Sequence, residues 1–235
     1  MKIFAIADLH LSLSAEKPMD IFGEHWREHP SKIASAWREL VAAEDLVLIP
    51  GDISWAMRLS DAATDLAFIH ELPGTKVIIR GNHDYWWSSL KKLRENLPPS
   101  ILPLQNTALQ VGAVGIAGSR LWIDPDLALE NATDEDRKIY ENELARLELS
   151  LKDQPASASR RIIMSHFPPI ALDGRPSRAS VLAERYGCEL WVFGHMHLGA
   201  NAPDYGGFNR IQAGTRFEFC AADYLDFRPK LLLEI

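Results

Sequence analysis

Five short apolar runs in this 235-residue chain each end in a polar cluster, and that repetition constrains the fold more than any other feature. Residues 3–7 lead into Asp8-Leu9-His10, residues 46–49 into Gly51-Asp52, and residues 77–79 into Gly81-Asn82-His83-Asp84. Residues 162–164 lead into His166, and residues 190–193 into Gly194-His195-Met196-His197. Each run has the length of a buried strand and is rich in β-branched or large apolar side chains. Open α/β sheets place their sites beyond the C-terminal ends of strands, which makes these clusters candidate functional loops.

Helical spacing falls between the runs, over residues 31–43, 60–71 and 88–96, with Ser60 as an expected N-cap and Pro73-Gly74 after the second helix. The early chain therefore reads βαβαβ. After about residue 100 the pattern shifts to shorter strands, at 108–117, 210–220 and 230–235. The expected class is α/β, with a two-layered core of mixed sheets and helices outside. A length of 235 residues with 47% hydrophobic content suits one domain spanning 1–235. Within residues 121–160, Thr133-Asp134-Glu135-Asp136 reads as a helix start, followed by Tyr140, Leu144, Leu147 and Leu151 at helical spacing. Two readings stand for this stretch: an amphipathic surface helix over a sheet edge, or a cap that helps choose a substrate.

A formal net charge of −7, spread along the chain, disfavours a broad nucleic-acid surface. Cys188 and Cys220 lie in no CxxC or Cys/His pair, so both are expected to be reduced and structural. The apolar stretch before Asp8 is too short for a secretory segment or a membrane span, which points to a soluble cytoplasmic protein with no membrane partner.

The clusters hold carboxylate, amide and imidazole donors and no thiolate, a set that suits Mn, Fe, Zn, Co or Ni. Two carboxylates, Asp8 and Asp52, against two divalent cations leave about two positive charges, because His and Asn ligands are neutral, and that excess attracts a phosphate anion. Asp8 with His10, and His195 with His197, sit two apart, so a strand end or a turn brings each pair to one side. Gly51, Gly81, Gly194 and Gly199 permit the sharp turns such loops need.

The order D-x-H, G-D, G-N-H-D, H, G-H-x-H resembles the calcineurin-like metallophosphoesterase superfamily, and the resemblance covers essentially the whole chain. It implies a four-layer sandwich and two divalent metal ions. One ion would be held by Asp8, His10, Asp52 and His197, and the other by Asp52, Asn82, His166 and His195. The implied nucleophile is a hydroxide between the ions, which in such sites lie about 3.5–4 Å apart. His83 is left to protonate the leaving oxygen of a small phosphorylated substrate, with Asp84 supporting its ring. The implied activity is hydrolysis of phosphate mono- or diesters.

Two further readings stand beside it. The Asp8-Leu9-His10-Leu11-Ser12 opening resembles bacterial sugar-nucleotide pyrophosphatases, although those carry arginine where His83 stands; a non-catalytic scaffold on the same fold is the other. Relatives often carry an acidic residue and then arginine shortly after the aspartate of the G-D motif, whereas here Ile53-Ser54-Trp55-Ala56-Met57-Arg58 follows. Arg80 and Arg216 are therefore alternative candidates for gripping phosphate, with ion pairing the plainer reading of each. Tyr85-Trp86-Trp87 could stack on a base or sugar or pack in the core. His25, His29 and His70 read as ordinary surface or core histidines, and Trp26 and Trp122 are too isolated to carry a role.

Overall fold

A computed structural model describes residues 1–14, 17–127 and 132–235 of the chain, and these form two compact units. The first comprises Met1–Pro103, His195–Ala202 and Cys220–Ile235, and the second Leu104–Gly194 and Pro203–Phe219. Each is built on one mixed sheet with helices packed outside it.

In the first unit the sheet runs β11 (Lys230–Glu234), β1 (Lys2–Ala5), β2 (Leu46–Ile49), β3 (Thr75–Ile78) and β4 (Ile101–Pro103). β1 to β4 are parallel, and β11 is antiparallel to β1. All four residues of β2 are buried, the pattern of a parallel strand covered on both faces. Helix α1 (His29–Leu40) buries Ile33, Ala34, Ala36 and Trp37, one stripe at 3.6-residue spacing. Trp37 satisfies its indole N–H on the carbonyl of Pro73 at 2.9 Å, so its bulk is buried without an orphaned donor. Helix α2 (Ala63–Glu71) starts later than its sequence pattern suggests. Ser60 is no cap: its hydroxyl donates to Asp61, while Ala62 holds the N-cap position without a side-chain bond. Helix α3 (Leu90–Asn96) is capped by Ser89, which accepts from the Lys92 N–H.

In the second unit the order is β5 (Leu109–Val111), β6 (Val114–Ser119), β7 (Arg160–Ser165), β8 (Leu190–Phe193), β10 (Thr215–Phe219) and β9 (Arg210–Gln212). The four central strands are parallel and both edges are antiparallel. The expected single strands over 108–117 and 210–220 are instead hairpins. The second turns through Ala213 and Gly214, both at positive φ (48° and 79°), the geometry of a primed two-residue turn. Apolar runs alone do not show such a turn when one of its residues is alanine.

Helix α4 (Asp134–Lys152) opens on a capping box, with Thr133 and Asp136 each accepting from the other's backbone N–H. It packs on β6, burying Tyr140, Leu147 and Leu151, and the Ser150 hydroxyl accepts the Gly118 N–H. That is how an amphipathic surface helix covers a sheet. Residues 128–131 of the 121–160 stretch lie outside the described residues. A short helix α5 (Ser180–Arg185) precedes β8. Among the described residues no helix is long and apolar enough to cross a membrane.

Candidate metal centre

Three candidate ligand segments of the first unit follow the C-terminal ends of β1, β2 and β3, where parallel neighbours deliver consecutive loops to one rim. The backbone there is unusual. Asp8 (φ 58°), His10 (φ 44°), Asp52 (φ 51°) and His195 (φ 78°) all occupy the left-handed region, which non-glycine residues seldom adopt. Such conformations cost on the order of 1–3 kcal/mol each and persist where surrounding bonds over-determine them. Those bonds are present: Asp8 N–H donates to the Gly51 carbonyl and His10 N–H to the Asp52 carbonyl, each at 3.0 Å. The Asp8 carboxylate in turn accepts the His195 N–H, at 3.0 and 3.1 Å.

Three of the candidate side chains come close together. One donor atom from each of Asp8, His10 and His197 lies within 4.8 Å of the others, with Asp8 and His10 buried and His197 half-buried. His10 Nε2 and His197 Nε2 face one another at 3.1 Å, and Asp52 Oδ2 is 3.7 Å from His10 Nε2. Two imidazole nitrogens and a carboxylate brought together, with a second carboxylate beside His10, form a donor set that a divalent cation fits. Buried carboxylates also call for positive charge, and Asp8, Asp52 and Asp84 are all at or below 1% exposure.

Asp223, which the sequence reading missed, supports the set. Its Oδ1 lies 3.3 Å from His197 Nδ1, and its Oδ2 accepts the Leu198 N–H at 2.8 Å. A carboxylate on Nδ1 holds the proton there and leaves Nε2 as the lone-pair donor. Burial works to lower the His197 pKa, but the Asp223 hydrogen bond and the charges of Asp8, Asp223 and Asp52 outweigh it, so the ring holds a proton more readily than usual. The same field favours a cation in the proton's place.

The Gly81-Asn82-His83-Asp84 turn is locked against Asp52. A Cβ on Gly81 would lie 2.1 Å from Asp52 Oδ1, so only glycine allows this approach. Asp52 Oδ1 accepts the His83 N–H at 2.8 Å. Asp84 is buried and accepts from Ile53 N (2.9 Å), Ser54 N (3.2 Å), Gly81 N (2.7 Å) and Trp86 Nε1 (2.9 Å). Burial, then the charge of Asp52, raises its carboxyl pKa. Those hydrogen bonds fasten the His83 loop to the Asp52 loop through the backbone rather than through the His83 ring. Asn82 is half-buried in the same turn.

Aromatic rings enclose this rim. Trp55 stacks on His10 (5.0 Å between centroids, 25°) and meets His83 at 4.5 Å, and Trp26 packs edge-on to His10, His29 and His197. His29 is a core histidine whose ring nitrogens lie 3.0 Å from the Trp26 carbonyl and 3.3 Å from the His10 carbonyl. Burial lowers its pKa. His25 and His70 are exposed.

In the second unit His166 follows β7 and is fully buried. Its N–H donates to the Arg120 carbonyl at 3.1 Å, and its carbonyl accepts the Gly194 N–H at 3.1 Å. Arg216 pairs with Glu218 at 3.2 Å, in line with a structural role. Trp122 packs on Phe167 and donates to Asp136.

With this geometry in place, comparison with known proteins identifies the family. The model for the calcineurin-like phosphoesterases matches residues 1–199. The chain belongs to the calcineurin-like phosphoesterase family. Members are metal-dependent hydrolases acting on phosphoester bonds, and they typically hold two divalent metals. The chain is similar to the Gene 66 protein of Mycobacterium phage L5, at 33% identity over 78 residues. That match takes in 33% of this chain and 37% of the phage protein, just over a third of the curated relative's length. Two solved structures share the fold. Phosphopantetheinyl hydrolase from Mycobacterium tuberculosis has a TM-score of 0.61 at 13% identity, covering 100% of this chain and 96% of that one. A protein of unknown function from Aquifex aeolicus has a TM-score of 0.53 at 16% identity, covering 98% and 95%.

Proposed function

We propose that this phosphoesterase cleaves phosphate mono- or diesters with two divalent metal ions, residues 1–235 acting as one catalytic domain in a cytoplasmic setting. Asp8, His10, Asp52 and His197 would hold one ion, and Asp52, Asn82, His166 and His195 the other. The observation that carries the reading is the convergence of Asp8, His10 and His197, with Asp52 Oδ2 3.7 Å from His10 Nε2. Bound divalent cations supply Lewis acidity and water activated at neutral pH.

The chain's own residues supply the rest. Asp52 would be shared by the two ions and, through Oδ1, accepts the His83 N–H, so the candidate proton donor is registered against a candidate metal ligand. His83 donates a proton to the leaving oxygen, which spares that oxygen a full negative charge as the bond breaks. Asp84 keeps the loop carrying His83 from moving relative to the Asp52 loop. Trp55 and Trp26 exclude water around His10 and His197 and strengthen the electrostatics between them.

The test is purified protein assayed with Mn²⁺, Ni²⁺, Co²⁺, Fe²⁺ and Zn²⁺ on p-nitrophenyl phosphate, its bis ester, a nucleoside pyrophosphate and a phosphopantetheine ester. Metal-dependent release from a mono- or diester is expected. Silence across the whole panel would favour a scaffold, and exclusive cleavage of the pyrophosphate would displace the ester reading.

A further inference from the structure

Tyr85 stands apart from the two tryptophans that follow it. Trp86 and Trp87 are buried at 2% and 8% exposure in the core, whereas Tyr85 is 50% exposed. A tight turn, with Tyr85 N–H on the His83 carbonyl at 2.9 Å, sets the phenol ring 6.3 Å from the His83 imidazole, at 73°. Trp55 is also against His83, at 4.5 Å, but its ring is already in use: it stacks on His10, and the Lys17 ammonium lies 5.0 Å from its centroid. Beside the His10 ring, 5.8 Å away, the imidazole thus has Trp55 as an occupied neighbour and Tyr85 as an exposed one.

A group that receives its proton from His83 is the alcohol part of the ester, since the phosphate stays with the metal ligands. Its carbon body has to leave the rim beside the donor, and the open aromatic surface there is the Tyr85 ring. We infer that Tyr85 is a specificity-determining residue that stacks on the leaving alcohol, so that the preferred substrates are phosphoesters whose alcohol carries a flat aromatic group. This rests on the proposed hydrolysis with His83 as proton donor. An aromatic pair contributes about 0.5–1.5 kcal/mol beyond area burial, which corresponds to roughly two- to tenfold in binding.

The experiment compares benzyl phosphate with propyl phosphate on the metal-loaded enzyme, because the two alcohols have similar acidity and differ mainly in the ring. Expected is a KM about fivefold lower for the benzyl ester, with similar kcat for both. In Tyr85→Ala the ratio of the two KM values falls toward one, and in Tyr85→Phe it returns, because the ring is restored without the hydroxyl. Turnover of both esters with no benzyl preference, or a preference that survives Tyr85→Ala, would overturn this inference and leave the hydrolase reading intact. Absence of metal-dependent turnover on either ester and on the wider panel would overturn both.

Discussion

The two ends of the first unit's parallel strands bury charge in opposite ways. At the C-terminal end, Asp8, His10 and Asp52 hold left-handed backbone that glycine would adopt at less cost. At the N-terminal end, the left-handed residue is a glycine, Gly74 (φ 86°), where a Cβ would meet the Asp45 carbonyl at 2.8 Å. Charges at that end serve the backbone: Asp45 accepts the N–H groups of Lys2 (2.6 Å) and Ala42 (2.9 Å). The Lys76 ammonium, fully buried, is spent on the Leu72 carbonyl, with the His70 carbonyl and Ser100 hydroxyl each at 3.4 Å. Strain is carried at the end where the side chain itself is needed, and relieved with glycine where it is not.

The sharpest way to break this contrast is Asp52→Asn. It removes the charge of the bridging candidate while leaving an oxygen for the His83 N–H. Metal-dependent kcat/KM should fall by about 10³-fold. The metal-free protein should unfold at no lower temperature, because the substitution relieves crowding with the buried carboxylate of Asp84. Calorimetry showing a large loss of metal-free stability would mean that this end is built for folding, like the other.

His83→Ala should cost about 10²- to 10³-fold on alkyl phosphates, whose poor leaving groups need a proton, and far less on p-nitrophenyl phosphate, whose leaving group does not. Equal losses on both would assign the ring to positioning rather than proton transfer.

How much of this was visible in the sequence follows from the same contrast. The first unit's candidate segments stand out because each pairs rare side-chain chemistry with an apolar run that forms a strand. Trp55 and Asp223 could not: Asp223 reaches His197 from 26 positions away, and a lone aspartate or tryptophan carries no pattern until the fold delivers it. The role of Asp84 was hidden for another reason. Its place beside His83 suggested a bond to the ring, but its oxygens accept from the backbone of residues 53, 54 and 81 and from the Trp86 indole. The hairpins at 109–119 and 210–219 merged into single strands because their turns lack the strong Asn-Gly signal.

The N-terminal end can be tested by pH. Burial lowers the Lys76 pKa from 10.5 to about 8. Between those values the unfolded chain binds more protons at this site than the folded one, so the Lys76 contribution to stability rises with pH and is lost as pH falls through 8. Lys76→Met carries no such term. The stability of the variant relative to the parent should therefore drop by roughly 2–3 kcal/mol from pH 8 to pH 10.5, followed by urea unfolding. A difference that stays flat over that window would show the ammonium to be solvated.

The smallest expected effect lies back at the ligand end, at Asp223. As a carboxylate it fixes the His197 proton on Nδ1 and presents Nε2 toward His10 Nε2. Asparagine keeps an oxygen for the Leu198 N–H but can turn its amide N–H toward Nδ1, which moves the ring proton to Nε2 and blocks the donor. Asp223→Asn should weaken metal binding by about tenfold, or about 1.4 kcal/mol, with unfolding of the metal-free protein little changed. Competition with a chelating dye reads the affinity directly, without relying on turnover. If affinity holds while metal-free stability falls, Asp223 belongs with Asp45 as a backbone clamp, and the division between the two ends is less sharp than the side-chain geometry makes it.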